Sequence, residues 1–314
     1  MKTLTTDVAV IGAGTAGMSA WRAARAHTPN VLLIERAQYG TTCARVGCMP
    51  SKLLIAAAEA AHTIEHSGVF GVHGGGLRVD GEAVMARVRA ERDRFVGFVV
   101  EAVEGWPVEH RLMGHARFVG PQALQVQTAD GPVQVQAGRV VIATGSRPAM
   151  PAAWRSALGD RLIVNDDVFE WHKLPESVAV VGAGVIGLEL AQALHRLGVR
   201  VRLYGRGSRL GPLTDPALQK VAAEVFGRGL PLQLDAHHLE VSRDGDNVLV
   251  HTVDSTGRPH DEQFDFLLAA TGRRANVDDL GLELSGLVRD DAGVPVYDRR
   301  TGQVGDQPLF IAGD

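Results

Sequence analysis

One layout occurs twice in this chain. The segment TTDVAVIGAGTAGMSAWRAARA, followed by NVLLIER, reads as a short apolar strand ending in glycines, a helix, and a second strand. The segment ESVAVVGAGVIGLELAQALHRLG, followed by VRVRLYGR, repeats that β-α-β order. Each copy carries G-x-G-x-x-G, as Gly12, Gly14 and Gly17 in the first and Gly182, Gly184 and Gly187 in the second. The first glycine permits a tight turn, the second lets the backbone approach a pyrophosphate, and the third packs helix on strand. An anion there meets free helix N–H groups and the positive end of the helix dipole. The spacing is far too long for a solenoid repeat, so the expectation is an α/β protein with two Rossmann-like dinucleotide-binding modules.

The two modules differ where the second strand ends. Glu35 lies there in the first copy, positioned to bind a ribose 2′-hydroxyl. The same count in the second copy lands on Gly205, with Arg206 beside it. A carboxylate at that place selects NAD, whereas an open position next to arginine accepts the 2′-phosphate of NADP. Arg200, Arg202 and Arg209 either add positive charge or are solvated surface residues, and both nucleotides stay open.

Between the copies, residues 81–104 read as a helix, and 114–145 as a β-meander with turns at Gly-Pro and Asp-Gly. A second hairpin-rich stretch follows the second copy. Both end in A-T-G, as Ala143-Thr144-Gly145 and Ala270-Thr271-Gly272. The expected division is 1–149 for the first domain, 150–272 for the second, inserted into it, and 273–314 for a return to the first.

A formal charge of −4 argues against nucleic-acid binding, which normally shows a basic stripe. No apolar run approaches a membrane span. Lys2 ahead of an apolar stretch resembles a signal peptide, but Asp7 and the glycines fit a strand and turn, so a cytoplasmic location is expected.

Cys43 and Cys48 are the only cysteines. Their C-x4-C spacing differs from the C-x-x-C of zinc and thioredoxin sites, and no second pair completes a metal site. The loop between them is of a size to close into a disulfide. Pro50 can start a helix that carries Lys52, and a helix N-terminus and a cation both favour thiolate. His62 and His66, at i and i+4, share a helix face, but the intervening glutamate is misplaced for H-E-x-x-H, and no metal site is read.

The run TTCARVGCMPSK, with GAGTAG, VIATGSRP, LPESVAVVGAGVIGLELA, LAATGRR and the closing LFIAGD, resembles the class I pyridine nucleotide-disulfide oxidoreductases over essentially the whole chain. That family includes dihydrolipoamide dehydrogenase, glutathione reductase and mercuric reductase. The resemblance implies FAD in the first module and NAD or NADP in the second, with Thr144, Gly145 and Gly272 among the cofactor-binding residues. It implies a redox-active Cys43–Cys48 disulfide, with Cys48 facing the flavin and Cys43 exchanging with substrate. It makes Lys52 and Glu189 an ion pair near the flavin, and Asp314 a ligand of its ribitol chain. P-S-K after Cys48 is most similar to dihydrolipoamide dehydrogenases and mercuric reductases. Thr41-Thr42, Ala44-Arg45 and Gly205 depart from the family pattern.

The family's catalytic histidine–glutamate pair and most of its dimer contact lie in a C-terminal interface domain, which this chain is expected to lack. The implied full-length protein is a homodimer acting on a small dithiol or disulfide, with possible membership of a 2-oxoacid dehydrogenase complex. Alternatives are a soluble transhydrogenase, a glutathione- or mercuric-reductase-like enzyme, and a non-catalytic flavin-binding module.

Overall fold

The computed structural model describes residues 2–207, 209–254 and 256–314, and for His237 the backbone alone. It divides into two compact units. One comprises Met1–Arg45, Arg94–Arg147 and Arg273–Asp314; the other comprises Val46–Asp93 and Pro148–Gly272. The helix Gly81–Glu104, present over the expected residues, is counted with the second unit up to Asp93 and with the first from Arg94.

The first unit is built on the strand Lys2–Ile11. It pairs in parallel with Val31–Glu35 on one side and with Gly131–Ile142 on the other. Its apolar run is continuous because both faces of a parallel strand are covered. Val8 and Val10 join the cluster containing Met18 and Trp21 of the helix Thr15–Arg25. Ala9 and Ile11 join Phe118, Leu124 and Val126 in another. The strand Gly131–Ile142 also closes an antiparallel meander with Ala123–Thr128 and His115–Gly120. The last strand, Leu309–Ile311, pairs in parallel with Val140–Ile142.

The second unit repeats the plan. Ser177–Val181 is the middle strand of a five-stranded parallel sheet, flanked by Arg200–Tyr204 and Phe266–Ala269. Val178 and Val180 enter one core, and Ala179 and Val181 another. Its meander, His237–Asp244, Asn247–Val253 and Pro259–Phe264, forms a separate antiparallel sheet.

Residues 46–93 differ from the sequence division, which placed them with the first domain. In the helix Cys48–His66, Leu54, Ala58 and Ala61 are buried at helical spacing against Leu190, Ala191 and Leu194 of the helix Val185–Arg196. Among the described residues, no helix is long and apolar enough to cross a membrane.

Candidate functional site

The two glycine turns have the same geometry. Gly12 N–H donates to Ile34 O at 2.8 Å and Gly182 N–H to Tyr204 O at 2.8 Å, which ties each turn to the end of the neighbouring strand. Both glycines have positive φ, 108° and 121°. A side chain on either would collide with a carbonyl, Ala143 O at 2.3 Å or Ala270 O at 2.2 Å. Gly17 and Gly187 lie so close to their turns that a Cβ would stand 1.8 or 1.9 Å from Gly12 O or Gly182 O. Gly14 and Gly184 are different: a Cβ on either would meet nothing within 4 Å. Each caps its helix in extended conformation without a side-chain hydrogen bond. The result is a cradle of free helix N–H groups that only a missing side chain keeps open, which fits a pyrophosphate.

The first cradle opens into a pocket lined by Gly12–Gly14, Glu35, Arg36, Thr41, Thr42, Arg45, Thr144, Gly145, Asn276 and Asp279. Glu35 accepts from Ala13 N–H at 2.7 Å and from Ala37 N–H at 2.9 Å, which fixes its carboxylate and leaves lone pairs for a ribose hydroxyl. Thr144 and Gly145 are held by Asn276, whose side-chain amide donates to Thr144 O at 3.0 Å and whose N–H donates to Gly145 O at 2.9 Å. Arg36 is paired with Asp279 at 2.5 Å. Half-buried Arg45 makes no side-chain hydrogen bond or ion pair among the described residues. Asn276, Asp279 and Arg45 were missed as lining residues because no local motif marks them. The departure of Arg45 from the family pattern was the available signal.

The closing strand brings Gly313 within contact of the first helix, where a Cβ on it would meet Ala16 Cβ at 2.9 Å. Asp314, largely exposed, accepts from Ser146 Oγ at 2.8 Å and lies 3.6 Å from Arg273 Nε.

In the second unit Gly205 is buried, and its N–H donates to Gln233 O. A Cβ there would stand 3.3 Å from Leu234 and 3.4 Å from Ala183, tight but not blocked. Arg206 is exposed. Arg202 and Arg200 both approach Glu262, at 2.5 and 3.8 Å, so neither is a free cation. Gly272, at φ 122°, ends the unit, and its carbonyl accepts from Ala149 N–H at 2.9 Å.

Cys43 belongs to the first unit and Cys48 to the second. Cys43 is half-buried in the short helix Thr42–Val46, whose Ala44 N–H donates to Thr41 Oγ1 at 3.0 Å. Thr41 has φ 57°, a left-handed conformation disfavoured for a β-branched residue, at a position where the family usually has glycine. Cys48 is exposed and is the first residue of the helix Cys48–His66. One expectation is corrected. The helix starts at Cys48 rather than Pro50, since proline is tolerated anywhere in a first turn, where N–H groups lack partners. Lys52 Nζ contacts Glu189 Oε1 at 2.6 Å, joining that helix to Val185–Arg196. An exposed pair of this kind contributes only about 0–1 kcal/mol, so stability alone is a weak reason for it.

The family model for pyridine nucleotide-disulphide oxidoreductases matches residues 6–314. The chain is 35% identical to mercuric reductase of Streptomyces lividans over 98% of its own length and 65% of that protein's. It is 30% identical to dihydrolipoyl dehydrogenase of Chlamydia trachomatis over 92% of its own length, and spans 61% of that relative. Glutathione reductase of Burkholderia cepacia is 32% identical over 98% of the chain and 66% of the relative. Among solved structures, the Cu(II) complex of the HOCl-induced flavoprotein disulfide reductase RclA from Escherichia coli superposes with a TM-score of 0.81 at 24% identity. It covers 99% of this chain and 66% of that one, a likeness of fold. With the family model spanning both cradles and the cysteine segment, the chain belongs to the FAD-dependent pyridine nucleotide-disulphide oxidoreductase family.

Proposed function

We propose that the protein is a flavin-dependent dithiol–disulfide oxidoreductase of the dihydrolipoyl dehydrogenase type, working as a cytoplasmic homodimer. The observation that carries the reading is a C-x4-C pair, with Cys48 opening a helix, in a chain that also holds two dinucleotide cradles. Gly12, Gly14, Gly17, Glu35, Thr144, Gly145 and Asp314 would hold FAD. Gly182, Gly184, Gly187, Gly205, Arg206 and Gly272 would hold the pyridine nucleotide. FAD, when bound, supplies two-electron transfer between the cysteine pair and NAD(P).

The chain's own part is thiol exchange. A thiolate of the substrate dithiol attacks the Cys43 sulfur of the oxidised pair, forming a mixed disulfide and releasing Cys48 as thiolate. The second substrate thiol then displaces Cys43, leaving an oxidised substrate and two reduced cysteines. The helix N-terminus stabilises the Cys48 thiolate. Lys52, fixed by Glu189, adds a positive charge one turn further on.

Dihydrolipoamide is the favoured substrate, supported by P-S-K after Cys48 and by the dihydrolipoyl dehydrogenases among the relatives. A 2-oxoacid dehydrogenase complex is the corresponding partner. Gly205 and Arg206 support weak discrimination against NADP, and Gly205→Glu should shift the ratio of nucleotide binding constants toward NAD.

The test is anaerobic reductive titration of the flavin-loaded protein. A long-wavelength charge-transfer band should appear and vanish in Cys48→Ser; its persistence would refute the assignment. Turnover of the complete protein with lipoamide, glutathione disulfide and Hg²⁺ decides the substrate.

A further inference from the structure

The helix Cys48–His66 ends in His62-Thr63-Ile64-Glu65-His66. His62 and His66 are one turn apart on the same face, and Glu65 is the i+3 neighbour of His62. The ligand atoms of all three lie within 4.8 Å of one another, and the two imidazole centroids are 4.0 Å apart. His66 Nδ1 is 2.9 Å from His62 O. A carbonyl only accepts, so Nδ1 carries the proton and the lone pair resides on Nε2. A backbone carbonyl on the far nitrogen is how metal-ligating histidines are oriented, and it raises the basicity of the ligating one. Arg196, the cation reaching this helix from Val185–Arg196, is engaged by Glu59 one turn earlier.

From this geometry we propose that His62, Glu65 and His66 form a site for a divalent late first-row transition metal, distinct from the dinucleotide cradles and the cysteines. Two imidazoles and one carboxylate suit Cu²⁺, Ni²⁺ and Zn²⁺, with Cu²⁺ bound most tightly, whereas Mg²⁺ and Ca²⁺ need more oxygen ligands. The order His-x-x-Glu-His puts the carboxylate next to the second histidine, where the cluster makes it a ligand. The remaining positions open to water, since Glu65 and His66 are exposed. A bound ion would bridge i and i+4 and so clamp the last helical turn.

The test uses the 314-residue chain carrying Cys43→Ser and Cys48→Ser, which removes the competing thiolates. Cu²⁺ alone is titrated and read by electron paramagnetic resonance, and Zn²⁺ by competition with a chromophoric chelator. Nitrogen coupling from two imidazoles is expected, at one ion per chain. His62→Ala and His66→Ala should each weaken binding at least about tenfold, since even outer-shell losses cost 10–100-fold. His27→Ala, at an exposed histidine elsewhere, should leave it unchanged. Should a histidine variant fail to fold, nitrogen NMR of the unsubstituted histidines replaces it, with the His66 proton expected on Nδ1 and the metal-induced shift on Nε2. Equal affinity in all three variants, copper without nitrogen coupling, or a metal shift confined to other histidines overturns the proposal.

Discussion

The second and third glycines of the first turn should separate folding from ligand binding. At Gly14 a methyl group meets no atom of the protein, and the backbone φ of −73° is one that alanine adopts freely. Gly14→Ala should therefore change stability by no more than about 0.5 kcal/mol, the usual range for a substitution that breaks no contact. The methyl would occupy the space through which a pyrophosphate reaches the helix N–H groups. Loss of one hydrogen bond to a charged group costs about 1.5–3 kcal/mol, which weakens FAD binding about ten- to hundredfold. At Gly17 the geometry is reversed. A methyl there falls 1.8 Å from Gly12 O, so helix and turn must part by roughly 1 Å of carbon–oxygen overlap. Overpacking of this kind costs about 1–3 kcal/mol or more, lowering Tm by about 2–8 °C per kcal/mol according to domain size. The assay is a pair of measurements on each variant, thermal unfolding of the FAD-free protein and fluorimetric FAD titration. A Gly14→Ala protein that binds FAD as tightly as the parent, at unchanged stability, would show that the turn does not hold a pyrophosphate.

Three further outcomes are expected. Thr41→Asn should raise stability by up to about 1 kcal/mol in urea unfolding, because asparagine tolerates the left-handed backbone and can keep the bond from Ala44 N–H; a loss would mean that the threonine methyl packs productively. Burial pushes the Tyr204 hydroxyl well above its ordinary value of 10.0. A raised folded-state pKa gives stability that is complete below the unfolded value and lost as pH climbs toward the folded one. Stability should therefore fall above about pH 10, and Tyr204→Phe should flatten that fall in alkaline denaturation followed by tyrosinate absorbance. Arg45→Met should weaken FAD binding and reduce its salt dependence, since an unneutralised guanidinium lines the first pocket; an unchanged salt slope would remove Arg45 from phosphate binding.

Local chemistry was readable from sequence, and partnership was not. The glycine turns, the apolar strands at Val8–Ile11 and Ser177–Val181 and the helix Gly81–Glu104 are each determined by short stretches of residues. The grouping of residues 46–93 is not. Leu54, Ala58 and Ala61 announce a buried helix face by their spacing, but an apolar face carries no label for what it packs against. The helical turn at Thr42–Val46 was also hidden, because its cap is Thr41 in a backbone conformation that threonine rarely adopts.

The two cradles also explain why one acid can be absent. In the first, Ala13 N–H is spent on Glu35, so the strand-end carboxylate both braces the turn and consumes one of its donors. In the second, Gly205 has no side chain to do this, and the turn is braced through its carbonyl instead, with Gly211 N–H donating to Ala183 O at 2.7 Å. Ala183 N–H consequently has no protein acceptor among the described residues. The same backbone thus presents an extra donor, and no competing carboxylate, in the unit proposed for the pyridine nucleotide. On the proposed reading, a 2′-phosphate would gain there and a ribose hydroxyl would lose its acid partner, because Gly205 stands where the first copy has Glu35.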